Sequence, residues 1–250
     1  MRPAQSGGMY FDETMARLPR LMVPGALHHV VQRVHSGMVL FRDDDDYRQF
    51  AGWLREGARQ FGVGIHAYVL LPDHFHLLLT PVAEDSVSKL MQWIGRCYVP
   101  YFNRRYQRSG SLWQGRFRAT VLEAETYFVP CAIYIESHPV RAGLAHSAES
   151  YPWSSYLHHS GQQTDPLVSD HRLYWALGNT PFQREANYRQ KMDESLSREM
   201  LQRLSDATHK SWALGSEAFM TALGQQTQRR IAPARRGRPR KPVLPASGTV

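Results

Sequence analysis

The sequence is poor in cysteine, in lysine and in long apolar runs, and each shortage excludes something. Two cysteines, Cys97 and Cys131, cannot build a disulfide framework or a four-thiolate zinc site. They fit a reducing compartment. No apolar stretch reaches the roughly 20 residues of a membrane span, and residues 1–20 lack the apolar stretch of a secretory signal. A soluble, cytoplasmic protein is expected. No internal repeat is present. Lysine supplies only four of the 30 basic residues, Lys89, Lys191, Lys210 and Lys241. Arginine supplies the rest, and its planar fork of donors suits phosphate. Against 22 acidic residues the net charge is +8, which points to a polyanion partner. Apolar residues make up 42% of the chain, enough for a sizeable core, so a wholly disordered or fibrous chain is excluded.

What is there falls into four stretches: a lead-in at 1–20, a main domain at 21–160, a helical region at 161–228 and a basic tail at 229–250. Met9 or Met15 is an alternative start. ALHHVVQRV, from Ala26, reads as a strand that breaks at Gly37. Tyr47, Phe50, Trp53, Leu54 and Ala58 then recur at helical spacing. The aspartates Asp43 to Asp46 open that helix, where they cap free N–H groups and suit the dipole better than they suit a metal. IHAYVLL and HFHLLLT form two strands across a Pro72-Asp73 turn. Ser86 starts a second helix, in which Pro100 is expected to kink or interrupt the run. LWQGRFRATVLEA reads as a strand or hairpin, and a helix over about 126–137 follows. The order β-α-β-β-α-β-α predicts an α+β sandwich of the ferredoxin or RRM kind, an antiparallel sheet with helices on one face.

His74-Phe75-His76 is the sharpest local feature. Residues i and i+2 of a strand share a face, so both imidazoles can converge on one ligand while Phe75 enters the opposite layer. Two imidazoles are a partial metal site. Tyr127, Cys131, Tyr134 and His138 form one stripe on the following helix, a pattern that core packing alone also produces. Tyr134 and His138 stand one turn apart, and Pro139 should end the helix near His138. A divalent ion held by His74, His76 and His138 would polarise a phosphodiester oxygen, and Tyr134 could attack phosphorus.

HAYVLLPDHFHLLL, FNRRYQRSGSLWQGRF, YIESHPVRAGL and YPWSSY together resemble the single-tyrosine HUH transposases, in particular the REP-associated tyrosine transposases related to the IS200/IS605 group. The resemblance spans about residues 15–160. It implies that His74 and His76 are the two HUH histidines, Tyr134 the nucleophile and His138 the third metal ligand. That last position is often Gln or Asn in the family, so His138 is a departure. It further implies an RRM-like fold, Mg²⁺ or Mn²⁺ as cofactor, and cutting of single-stranded DNA beside a hairpin through a 5′-phosphotyrosine.

From Arg96 to Arg118 there are six arginines and no acidic residue, interleaved with aromatics. Basic residues track phosphates and aromatics stack on unpaired bases, so Arg96, Arg104, Arg105, Arg108, Trp113, Arg116 and Arg118 are the candidate DNA contacts. The tail carries Arg236, Arg238 and Arg240 around a Gly-Arg-Pro core that looks like an AT-hook for the minor groove of A·T-rich duplex. A flexible polyanion-binding end fits the same residues. Residues 1–228 carry 23 basic and 22 acidic residues, so most of the net charge lies in the tail. Three functional readings follow: a metal-dependent tyrosine DNA transesterase acting at hairpins, a catalytically silent hairpin-binding regulator of the same fold, and an RNA-binding RRM-like module. The last lacks the usual aromatic motif on its central strands. His146, His158, His159, His171 and His209 have no evident partners and read as structural or surface residues. Oligomeric state, monomer or homodimer, is open.

Overall fold

The computed structural model describes residues 20–227 and 230–232. Residues 1–19 of the lead-in, with the alternative starts, lie outside those residues, as do Arg236, Arg238 and Arg240. Four strands form one antiparallel sheet: β1 (Leu27–Arg33), β2 (Val63–Leu71), β3 (His74–Pro81) and β4 (Arg118–Leu122), in the order β2-β3-β1-β4. Helix α1 (Asp44–Gln60) joins β1 to β2, and α2 (Ser86–Arg105) joins β3 to β4. The βαββαβ order expected from the sequence is therefore present, with the ferredoxin-like strand arrangement.

Local chemistry sets the element ends. Asp43 caps α1, its carboxylate accepting from the N–H groups of Asp45 and Asp46. Gly57 lets α1 and α2 approach closely, since a Cβ there would stand 2.6 Å from the Trp93 ring. The expected interruption at Pro100 does not occur, and α2 continues through it to Arg105. Tyr98 and Phe102, buried on either side of Pro100, hold that stretch against the core by packing that outweighs one lost backbone hydrogen bond. The expected strand or hairpin after residue 111 is shorter than the sequence run. Only Arg118–Leu122 joins the sheet, while Trp113 makes an isolated bridge to Val34.

The sheet is covered on both sides. Phe75, Leu77 and Leu79 of β3 pack with Phe50 and Leu54 of α1 and with Leu90, Ile94 and Tyr98 of α2. The opposite face carries α3 (Ala124–Glu136), packed on Ala67, Val69, Leu71 and Leu78. A short helix α4 (His138–Arg141) follows at once, so α3 ends before Pro139 as expected. Beyond it come α5 (Tyr156–His159), α6 (Arg172–Trp175), α7 (Pro181–Glu194), α8 (Arg198–Lys210) and α9 (Glu217–Gln226). Helix α8 lies on the same face as α3, with the Thr120 hydroxyl of β4 donating to the Ala207 carbonyl at 3.0 Å. Helices on one face only were expected. The near-complete burial of β3 explains the second layer, because a strand with apolar residues on both sides needs a cover on each.

Candidate active site

Strand alternation selects the site residues. On β1, His29, Val31 and Arg33 share the face turned to α3 and α8. On β3 it is His74 and His76, and on β4 it is Arg118 and Thr120. Register brings them together: Arg33 is opposite His74, and Val31 is opposite both His76 and Arg118. Tyr134 arrives from the last turn of α3 and His138 from the first turn of α4.

His74, His76 and His138 each offer a ring nitrogen, and these atoms lie within 4.8 Å of one another. His74 Nδ1 sits 2.5 Å from Asp73 Oδ1, which leaves Nε2 for a ligand, with Arg33 Nη2 3.3 Å from it. His76 Nδ1 is 2.8 Å from His29 Nε2. His76 Nε2 and His138 Nδ1 are buried and have no protein partner. A buried polar atom without a partner is costly, and two such nitrogens beside a third imidazole fit a divalent cation. Burial holds His76 well below the ordinary imidazole range and lowers His138 to about 3, with neighbouring positive groups acting the same way. Both rings are thus neutral, as ligation needs.

Tyr134 is 9% exposed, with ring centroids 6.1 Å from His76 and 6.2 Å from His138. Burial pushes its phenol above the ordinary value, while Arg141 and the Ser205 hydroxyl pull it down. The Arg141 guanidinium stands 4.6 Å from the centre of the Tyr134 ring and donates to the Tyr134 carbonyl and the Ser137 hydroxyl. The turn that carries Tyr134 and His138 is anchored from below. Glu136, fully buried, accepts from the Ser155 hydroxyl (2.5 Å), His159 Nδ1 (2.6 Å) and the Tyr188 hydroxyl (2.6 Å). His159, read from sequence as structural or surface, is of the structural kind, a buried partner of this carboxylate.

A cleft of about 610 Å³ opens over the cluster, lined by Arg33, Arg116, Arg118, Tyr134, Ser205 and His209 among others. His209, exposed as the surface reading allows, has its ring and carbonyl both at Arg118 Nη1, at 2.8 and 3.0 Å.

The sheet divides the arginine-rich stretch. Arg116 and Arg118 line the cleft. Arg96, Arg104 and Arg105 belong to α2, whose apolar side packs on the opposite face, and Arg108 follows it there with its chain against Met38. Arg105 is held by Asp43 and Asp46 at 2.7 and 3.1 Å. Trp113 packs into the α2-side core beside Phe75. Sequence reasoning missed His29, Arg33, Asp73, Arg141, Ser205 and Thr208. Of these, His29 and Arg33 share one parity of β1, but His28 and Gln32 are polar on the other, so alternation alone does not single them out.

Residues 23–138, which hold β1 to α3 and all three imidazoles, match the family described as IS200-like transposases. This segment belongs to that family. No curated protein matches the chain. Among solved structures, a REP-associated tyrosine transposase bound to a REP hairpin is 19% identical. The match covers 63% of this chain and 92% of that one, with a TM-score of 0.51. A candidate transposase from Deinococcus radiodurans R1 is 24% identical over 47% of this chain and 95% of that one, but its TM-score is 0.33. The first likeness is one of fold. No helix among the described residues is long and apolar enough to cross a membrane.

Proposed function

We propose that this IS200-like protein is a DNA strand transferase that uses Tyr134 as its nucleophile and a divalent cation, Mg²⁺ or Mn²⁺, held by His74, His76 and His138. The observation that carries this reading is the pair of buried, unpartnered nitrogens, His76 Nε2 and His138 Nδ1, beside a third imidazole and a tyrosine. When bound, such a cation supplies a Lewis acid for a phosphodiester oxygen and offsets charge in the transition state.

The chain supplies the rest. Tyr134 Oη forms a bond to phosphorus, the bond from phosphorus to the 3′ oxygen breaks, and the phenolic proton passes to solvent. The departing oxygen takes a proton and leaves as the 3′-hydroxyl of the upstream fragment, so the downstream fragment stays on the tyrosine through its 5′ phosphate. Attack by another 3′-hydroxyl reverses the step and rejoins DNA. Arg116 and Arg118 meet the phosphates along the cleft, and His209 orients Arg118. Single-stranded DNA beside a hairpin is the proposed substrate, supported by the hairpin-bound structure of similar fold. The REP-associated branch is the corresponding placement within the family. Residues 229–250 add a contact to A·T-rich duplex, which a chain stopped before Ala232 should lose while keeping single-strand cleavage.

The test incubates the protein with labelled single-stranded hairpin DNA and Mn²⁺ and looks for a covalent adduct after denaturation. An adduct that disappears in Tyr134→Phe is expected. Hairpin binding without an adduct across varied hairpins would replace this reading with that of a silent DNA-binding regulator.

A further inference from the structure

A row of hydrogen bonds runs from α8 to the imidazole cluster entirely within the protein. The Thr208 hydroxyl is 2.8 Å from the Leu204 carbonyl one turn earlier, and its oxygen is also 2.8 Å from His29 Nδ1. His29 Nε2 is in turn 2.8 Å from His76 Nδ1. Thr208, His29 and His76 are all buried, so water does not interrupt the row. A hydroxyl and two neutral imidazoles in series hold one proton per link, and the direction of one link fixes the others.

Two runs are possible. The Leu204 carbonyl can only accept, so it draws the Thr208 proton toward itself. The Thr208 oxygen then accepts from His29 Nδ1–H, His29 Nε2 accepts from His76 Nδ1–H, and His76 Nε2 faces the cluster as a bare lone pair. In the opposite run Thr208 donates to His29, His29 donates to His76, and the proton lands on His76 Nε2. There it would occupy the position a cation needs. Only the first run agrees with a metal-binding cluster.

We propose that Thr208 and His29 are positioning residues that keep the His76 proton on Nδ1 and so hold Nε2 open to a divalent cation. The proposal rests on the reading that the imidazole cluster binds metal. It gives α8 a defined part in the site: a helix outside the family-matched segment sets the tautomer of a ligand inside it. Outer partners of metal-bound imidazoles fix tautomer and ring orientation in this way, and their loss typically lowers metal affinity ten- to a hundredfold.

Thr208→Val keeps the shape and removes the acceptor for His29 Nδ1–H. The full chain and its variants would be titrated with Mn²⁺ alone, and the ring tautomers read from ¹⁵N shifts of the metal-free protein. Wild type should show His76 protonated on Nδ1 and bind Mn²⁺, and His76→Ala should abolish that binding. Thr208→Val should move the His76 proton to Nε2 and weaken Mn²⁺ binding at least about tenfold, while Thr208→Ser restores both. Thr208→Ala, which removes the same oxygen without a new methyl, is read in the same way should the valine variant fail to fold. If Mn²⁺ binding is present in wild type and lost in His76→Ala, yet unchanged in Thr208→Val or Thr208→Ala, the relay is overturned and the metal site stands. If wild type takes up no Mn²⁺, or His76→Ala binds it equally, the metal reading falls and this proposal with it.

Discussion

The two faces of the sheet are made from alternate residues of the same strands, yet they do different things. Toward α1 and α2, β3 sends Phe75, Leu77 and Leu79, all fully buried in apolar contact. Toward α3 and α8 it sends His74 and His76, whose nitrogens end in polar partners or in none. The arginines divide likewise. On the first side Arg105 is bound to Asp43 and Asp46, and Arg42 lies 4.3 Å from the centre of the Tyr106 ring. On the second, Arg116 and Arg118 line an open cleft. A run of basic residues in sequence is thus not one basic surface in space, because the sheet parts it into a half on the α2 side and a half lining the cleft.

Several changes would break or sharpen that contrast. The largest effect is expected for Tyr134→Phe: strand cleavage should fall at least about 10³-fold, as for loss of other covalent nucleophiles, with hairpin affinity nearly unchanged in a gel-shift assay. Next comes the β3 pair in stability. Phe75→Ala should cost about 3–5 kcal/mol in denaturant unfolding. By contrast, His138→Ala removes a buried nitrogen without a protein partner and should stay within about 1 kcal/mol in metal-free protein. Comparable losses in the two variants would erase the distinction between a packing face and a working face.

For binding, Arg116→Ala combined with Arg118→Ala should weaken single-stranded DNA affinity about tenfold or more. It should also reduce the log–log salt slope by roughly 0.7 per lost phosphate contact. Arg96→Ala combined with Arg104→Ala should leave both within about twofold, and the reverse ranking would move the DNA to the α2 side.

A separate effect, on stability alone, concerns pH. His28 and His66 are kept neutral by burial, with values lowered from 6.5 to about 4. Between those limits the unfolded chain takes up protons that the folded chain refuses. Stability is therefore intact above about pH 6.5 and falls as pH drops toward 4, by up to about 1.4 kcal/mol per pH unit for each ring. A flat unfolding free energy between pH 7 and 4 would contradict this.

Much of the fold was legible because it is written in short-range patterns. The period-two strands, the capped helix at Asp43 and the two-residue spacing of His74 and His76 all act over a few residues. Tyr134 and His138 were legible for the same reason, one helical turn apart. The second helical layer was implicit in HFHLLLTP, where apolar residues occupy both parities, although alternation alone names no partner. What sequence could not give is pairing at a distance. His29 meets Thr208 across 179 residues, and no spacing rule connects them. The ion pairs of Arg105 were out of reach in another way, since Asp46, expected only to cap a helix, is fully buried and holds that arginine.

The Glu136 carboxylate carries a consequence for the size of the smallest working unit. It stands two residues from both Tyr134 and His138, and its hydrogen bonds come from Ser155, His159 and Tyr188. A chain ended at residue 160 would keep every imidazole and the tyrosine, yet it would strip Tyr188 from that carboxylate and Thr208 from His29. The C-terminal helices are in that sense the keystone rather than an ornament: a chain trimmed to the family-matched segment would inherit the right groups on an unsupported turn.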